Sequence, residues 1–211
     1  MTNKKIRDQL LEVGVKISKV KAEEVFYTGF YRKNESNGDQ EFLESRYAIW
    51  LSKSLPYAGE YSYGSTFSPV KRIARIKILK EIEVLEFPLN FHPADCFFEW
   101  ILEDGRYNVD YSSVKLDMPF EGYQPDHHFD KYFNEIVSLL GIRKNLSGYI
   151  RRATSRDLGF AVGEVKEFAL KDYRVMKVSS IVDMPRTKVE FRELAGKYGE
   201  KLEVMIFGKV L

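Results

Sequence analysis

Short apolar segments with strand-like alternation recur along this chain, and helical periodicity is confined to a few places. Strands are predicted at 25–31, 46–52, 71–79, 81–87, 148–152, 165–170, 175–178 and 202–207. Helices are predicted at 6–17, where Gly14 interrupts the pattern, at 54–63, at 129–140 and from Pro185 onward. Because the strands come in runs instead of alternating with helices, the sequence predicts an α+β fold.

The chain has 211 residues, 44% of them hydrophobic, and no stretch rich in Pro, Gly and Ser that would link two domains. We therefore predict one folded domain over residues 1–211. The apolar runs are too short to cross a membrane, and the polar start MTNKKIRDQ lacks the apolar core of a secretory signal. Cys96 is the only cysteine, so no internal disulfide can form. These features predict a cytoplasmic protein without a membrane partner.

The net charge of +2 is distributed unevenly along the chain. Residues 1–140 carry 18 basic and 22 acidic side chains, whereas residues 141–211 carry 15 basic and 9 acidic ones, a balance of +6. Such an excess favours a face that binds phosphates, either of a nucleotide cofactor or of a nucleic acid. A solvated surface is the commoner origin of a charge run.

One carboxylate, Glu167, stands at the head of the apolar strand segment 165–170. Alternation along a strand directs Phe168 and Leu170 to one face of the sheet and Glu167, with small apolar neighbours, to the other. A glutamate in this setting has two explanations. It lies at a sheet edge or surface, which is the commoner fate of a glutamate, or its charge serves a reaction.

Four pieces of the sequence matter together in chain order: TyrThrGly at 27–29, AIWLS at 48–52 with AlaGlyGluTyr at 58–61, LGIRKNLSGYI at 140–150, and KEFALKD at 166–172. The arrangement resembles the ADP-ribosyltransferase superfamily, which includes diphtheria-type toxins and poly(ADP-ribose) polymerases. Its members carry a His-Gly or Arg-Gly pair on an early strand, an aromatic strand that runs into a helix, and a late strand with the catalytic glutamate. The resemblance implies two packed, mostly antiparallel sheets around an NAD cleft, with 88–128 as an insertion.

The resemblance also implies that NAD is the co-substrate and Glu167 the catalytic residue. Breaking the bond between nicotinamide and ribose builds an oxocarbenium-like cation, which a fixed carboxylate stabilises. The matched residues that would contact NAD are Tyr27, Thr28, Gly29, Arg32, Trp50 and Tyr61. Gly29 lacks a side chain, so the backbone there can approach the nicotinamide amide closely. The rings of Trp50 and Tyr61 would enclose the cationic nicotinamide ring.

The sequence departs from the family pattern at two of these places. Thr28 stands where polymerase-like members carry His. Either the Thr28 hydroxyl group forms the hydrogen bond to the adenosine-side ribose in place of that His, or Arg32 binds the diphosphate of NAD. Val165 stands where arginine-modifying members carry Glu or Gln, which argues against arginine as the acceptor. Glu164 is an alternative catalytic glutamate, disfavoured by its phase along the strand. No pattern of His, Cys, Asp and Glu has the spacing of a metal site.

The prediction is therefore an ADP-ribosyltransferase that modifies an intracellular macromolecule, as a toxin or a phage-defence effector does. The basic balance of residues 141–211 favours RNA or DNA as the acceptor slightly over protein. An antitoxin or immunity protein is the expected partner of such an effector. Alternatives are a protein-modifying transferase, an NAD glycohydrolase, and a catalytically silent nucleotide- or partner-binding module on the same fold.

Overall fold

The computed structural model describes residues 3–12, 14–30, 49–63, 71–89, 137–138, 140–142, 145–155 and 163–208. These residues form eight strands: β1 (Lys16–Val20), β2 (Val25–Phe30), β3 (Ile49–Ser52), β4 (Arg72–Ile78), β5 (Ile82–Leu89), β6 (Gly148–Ser155), β7 (Gly163–Leu170) and β8 (Met176–Asp183). The helices are α1 (Asn3–Glu12), α2 (Leu55–Glu60), α3 (Lys188–Tyr198) and α4 (Leu202–Phe207), with 3-10 turns at Tyr61–Tyr63, Tyr173–Val175 and Gly199–Lys201.

All eight strands belong to one hydrogen-bonded sheet with the order β1-β5-β6-β7-β3-β2-β4-β8. Neighbouring strands are antiparallel except β5 and β6, which run parallel. The order of elements is that of an α+β protein, as the sequence predicts. The expected pair of packed sheets is not seen among the described strands, because β3 bonds to β7 on one side and to β2 on the other.

The two halves of this sheet are nevertheless joined weakly. Within the described residues, β2 and β3 share one register pair, Tyr27 opposite Ser52. By contrast, β2 pairs with β4 over six positions and β3 with β7 over four. Strand pairing is therefore extensive within each half of the sheet and limited to one residue pair between β2 and β3. Strand β3 separates this boundary from β7, which carries Glu167.

Apolar side chains on the two faces of the sheet form separate clusters. One cluster combines residues from all eight strands, including Phe26, Leu51 and Phe168. The other lies under the helices and includes Ile73 of β4 and Phe191 of α3. Since Phe168 and Leu170 both lie in the first cluster, the alternation that the sequence predicts for 165–170 is confirmed.

Most predicted elements are confirmed, with bounds that shift by a few residues. The strand segments at 25–31, 46–52, 71–79, 81–87, 148–152, 165–170 and 175–178 correspond to β2 through β8 where they are described. The predicted helix at 54–63 is α2 with its following 3-10 turn, and the helix expected from Pro185 is α3. Thr187 and Glu190 form a capping box, which sets the start of α3. The two adjacent strands β4 and β5 do not pair with each other, since each lies in a different half of the sheet.

The prediction of a last strand at 202–207 is wrong, because this segment is helix α4. The alternation of Leu202 and Ile206 with their neighbours fits either structure over so short a length. Tertiary contacts favour the helix: Phe207 stacks on Tyr27 with ring centroids 5.9 Å apart, and Glu203 lies 3.1 Å from Arg75. Val204 and Met205 are left about half exposed at 47% and 52%.

At the amino end, the predicted helix 6–17 is shorter than expected. Helix α1 ends at Glu12, and Gly14 adopts a positive φ of 86° before the chain enters β1. Strand β1 was not predicted, and it forms the edge of the sheet against β5. Most of the proposed insertion 88–128 and of the predicted helix 129–140 lies outside the described residues. No helix in the described part of the chain is long and apolar enough to cross a bilayer.

Candidate functional site

Glu167 lies in the middle of a row of side chains that crosses the sheet. Arg151 of β6 is its register partner on one side, and Ser52 of β3 is its partner on the other. Tyr27 of β2 continues the row beyond Ser52. Directly opposed residues project from the same face of a sheet. Glu167 is only 4% exposed, so the first explanation from the sequence, a surface glutamate, does not hold.

Three side chains from separate elements bind this buried carboxylate. Arg151 Nη2 lies 2.6 Å from Glu167 Oε2. Tyr61 donates its hydroxyl group to Glu167 Oε1 at 2.6 Å, and Tyr57 donates to the same oxygen. The two tyrosine hydroxyl groups are also 2.9 Å apart. The carboxylate is thus held by a cation at one oxygen and by two neutral donors at the other, which compensates for its removal from water.

The chain immediately after β3 explains how the two tyrosines reach Glu167. Ser52 accepts a bond from the backbone amide of Ser54 at 3.1 Å, which fixes the turn out of the strand. Ser54 then caps α2, and Pro56 stands in the first turn of this helix, where it is tolerated. Tyr57 and Tyr61 are four residues apart, so they lie on one side of the helical segment. That side faces Glu167.

Two glycines allow α2 to pack where it does. A Cβ atom on Gly29 of β2 would lie 2.3 Å from the carbonyl oxygen of Ala58 and 2.7 Å from the backbone nitrogen of Ser62. A Cβ atom on Gly59 would lie 2.3 Å from the ring of Phe191 in α3. Helix α2 therefore packs closely against β2 on one side and α3 on the other. Neither position has room for a side chain larger than the hydrogen atom of glycine.

Polar contacts fasten the same helix at its far end. Ser62 is fully buried and donates to the backbone carbonyl of Arg72 at 2.6 Å. Glu60 is 7% exposed and accepts two bonds from Arg192 at 2.8 and 3.2 Å, and it pairs with Lys188 as well. These contacts fix the position of α2 relative to β4 and α3. They hold the two tyrosines over Glu167.

The tyrosine hydroxyl groups remain neutral donors in this setting. Burial raises the pKa of Tyr57, and the negative charge of Glu167 raises it further. Desolvation and the same carboxylate raise the pKa of Tyr61, although the residue as a whole is 47% exposed. A phenolate beside a carboxylate would place two negative charges together, which explains the direction of both shifts. Both hydroxyl groups therefore carry a proton at neutral pH.

Trp50 lies on the same face of β3 as Ser52, two residues earlier. Its ring packs edge-on against Tyr149 at 5.8 Å, and the guanidinium carbon of Arg151 lies 6.0 Å from the ring centroid. Arg151 therefore contacts both the aromatic ring and the carboxylate of Glu167. Of the residues predicted from the sequence, the structure brings Trp50, Tyr61 and Glu167 into one cluster.

The early-strand residues are placed differently. Tyr27 shares the site face, but its ring stacks on Phe207, and burial and a hydrogen bond from its hydroxyl group to Glu203 raise its pKa. Thr28 is buried at 5% exposure and opposes Ala74, which belongs to the cluster on the other face. Its side chain is therefore not brought to Glu167. Gly29 lies under α2, and Arg32 is outside the described residues.

Sequence reasoning missed Tyr57 as a site residue and treated Arg151 only as part of a basic segment. The spacing of Tyr57 and Tyr61 is a signal for a shared helical side, once the helix itself is predicted. Arg151 has no comparable signal, because its position opposite Glu167 depends on the register between β6 and β7.

Comparison of the chain with protein-family models and with curated proteins finds no match. Among the residues that the structure describes, no group of three or more His, Cys, Asp and Glu side chains could hold a metal ion. The candidate site is therefore defined by its own chemistry: a buried carboxylate, an arginine, two tyrosine hydroxyl groups and a tryptophan ring.

Proposed function

We propose that the protein cleaves NAD at Glu167 and transfers ADP-ribose to an acceptor. The observation that carries the proposal is the buried carboxylate of Glu167, which accepts hydrogen bonds from two tyrosines and pairs with Arg151, whose guanidinium group also lies near the ring of Trp50. A preorganised carboxylate in a site of low dielectric is suited to stabilising an oxocarbenium-like cation. An indole ring beside it offers a flat face to the cationic nicotinamide ring.

The reaction that we propose breaks the bond between the nicotinamide nitrogen and C1′ of the ribose. The bonding electrons leave with nicotinamide, which becomes neutral, and positive charge develops on the ribose near Glu167. The acceptor oxygen or nitrogen then bonds to C1′ and loses its proton, with Glu167 as the group that assists this loss. Water in place of the acceptor gives free ADP-ribose, which is the glycohydrolase alternative.

The ADP-ribosyltransferase-like architecture is also part of this proposal. It is supported by the positions of the four sequence pieces that resemble the superfamily. The strands that contain them are β6, β7, β3 and β2, which are four consecutive neighbours in the sheet. The AlaGlyGluTyr piece lies in the segment that brings Tyr61 to Glu167.

The acceptor of the ADP-ribose group is inferred from the charge of the chain. The basic balance of residues 141–211 favours a nucleic acid. In the structure, however, basic side chains of this part pair with carboxylates: Arg151 with Glu167, Arg152 with Glu164, Lys166 with Glu86, Arg174 with Asp172, and Lys188 and Arg192 with Glu60. Pairing reduces the charge that is available to phosphates. RNA or DNA stays our proposed acceptor, in an effector restrained by an antitoxin or immunity protein in the cytoplasm.

The experiment that tests the reaction compares two glutamates of β7. Glu167→Gln removes the charge that meets the oxocarbenium-like cation, so nicotinamide release should fall by ~10²-fold or more. Glu164→Gln is the matched control, because Glu164 lies on the opposite face of the strand and pairs with Arg152 at 2.7 Å. Wild-type nicotinamide release by Glu167→Gln would refute the assignment. Bound NAD without any nicotinamide release would instead support the silent binding module.

The acceptor is identified with labelled NAD and a cell extract. After incubation, separate portions are digested with nuclease and with protease, and the retained label is measured. We expect nuclease to release the label. Label that resists nuclease and is lost with protease would exclude a nucleic acid acceptor and favour the protein-modifying alternative.

A further inference from the structure

Arg151 contacts both the carboxylate of Glu167 and the ring of Trp50. It belongs to β6, whereas Glu167 belongs to β7 and Trp50 to β3. The guanidinium group therefore connects three adjacent strands on the face of the sheet that carries the site. Its side chain is 17% exposed, so it lies at the solvent side of the buried carboxylate.

The contacts of Glu167 separate its two oxygens. Arg151 holds Oε2, and the tyrosine hydroxyl groups hold Oε1. Tyrosine hydroxyl groups are neutral donors that a ribose hydroxyl group can replace at similar cost. A buried ion pair is different, because removing one partner leaves an uncompensated charge. The oxygen that can change partners is therefore Oε1, while Oε2 stays anchored.

We propose that Arg151 is the positioning residue of the site, which fixes both the carboxylate of Glu167 and the ring of Trp50. Truncation of Arg151 to alanine then leaves a cavity between the carboxylate of Glu167 and the ring of Trp50. A free guanidinium ion can bind in this cavity, because it is positively charged and planar. The role of Arg151 in catalysis rests on the proposed function. The binding of a guanidinium ion by the truncated variant is independent of that function.

The first test uses methylguanidine as the probe and tryptophan emission as the readout. A Trp100→Phe background leaves Trp50 as the only tryptophan of the chain. In this background we expect Arg151→Ala to change the emission of Trp50, and methylguanidine at millimolar concentration to reverse the change with saturation. Arg152→Ala is the matched control, because the neighbouring Arg152 lies on the opposite face and pairs with Glu164. It should leave the emission unchanged.

Two outcomes would overturn the proposal. One is an absence of saturable methylguanidine binding to Arg151→Ala, and the other is equal binding when Glu167→Gln is added to that variant. Should Arg151→Ala fail to fold, Arg151→Lys replaces it, since it keeps the charge in a compact ammonium group. The proposal then requires an altered Trp50 emission in Arg151→Lys, and emission identical to that of the parent protein would refute it.

The second test measures nicotinamide release from NAD. Arg151→Ala should lower kcat about tenfold to a hundredfold, as expected when a reacting group loses its position. Methylguanidine should restore part of the rate of nicotinamide release. In a protein that already carries Glu167→Gln, adding Arg151→Ala should not lower this rate further. If the wild-type protein releases no nicotinamide, the proposed function fails, and the emission titration alone decides the role of Arg151.

Discussion

Replacing Gly29 by alanine separates two reasons for a glycine at this position. According to the resemblance to ADP-ribosyltransferases, Gly29 allows nicotinamide to approach the backbone closely. On that explanation, Gly29→Ala would not change the stability of the ligand-free protein. The structure gives a different reason, because the new Cβ atom would lie 2.3 Å from the Ala58 carbonyl oxygen and 2.7 Å from both the nitrogen and Oγ of Ser62. Two of these three atoms are backbone, so no rotation of a side chain relieves the contact.

The size of the effect follows from these distances. Ordinary contacts begin at 3.4 Å, so α2 would have to move away from β2 by about 1 Å. Overpacking of this kind costs about 1–3 kcal/mol. We expect the upper half of that range, since Ser62 is also bonded to the carbonyl of Arg72. For a chain of 211 residues this corresponds to a fall in Tm of roughly 4–12 °C.

Thermal unfolding of the ligand-free protein measures the effect, and Gly196→Ala is its control. Gly196 lies in α3, and a Cβ atom there would meet nothing within 4 Å. This control should gain about 0.5–1 kcal/mol from higher helix propensity. Gly29→Ala with the Tm of the wild-type protein would refute the packing argument. If it then lost only NAD binding, the reason implied by the resemblance would be the correct one.

Two further predictions concern stability. Glu86 is buried, which raises its pKa, but a hydrogen bond from Ser18 and the charge of Lys166 outweigh burial and lower it. A folded-state pKa below the unfolded value stabilises at neutral pH, and this contribution is lost as the pH falls below about 4.3. Denaturant unfolding should therefore show a smaller loss of stability between pH 6 and 3 in Glu86→Gln than in the wild type, and equal losses would contradict the argument. Arg192→Ala removes two bonds to the buried Glu60, so it should lower the Tm and, in active protein, nicotinamide release, but less than Gly29→Ala does. A larger loss of Tm than in Gly29→Ala would place the main support of α2 at Arg192.

Local pattern was sufficient for much of this protein. The alternation in 165–170 predicted which face Glu167 occupies, and the sequence after Ser52 predicted the helix that carries Tyr57 and Tyr61. Both features depend on residues that are close in sequence. The alternation of side chains along a strand and the capping of a helix depend on residues a few positions apart. Both can therefore be predicted from the sequence without knowledge of the tertiary structure.

Tertiary structure decided the identity of the last element and the partners of Glu167. Leu202–Phe207 becomes a helix because Tyr27 and Arg75 of distant strands bind it. Arg151 reaches Glu167 through the register of β6 against β7, and Tyr57 reaches the same carboxylate across 110 residues of chain. A register shift of one residue would send Arg151 to the other face of the sheet. Register and long-range docking are set by the packing of the whole core, and for this reason no local segment of the sequence could specify them.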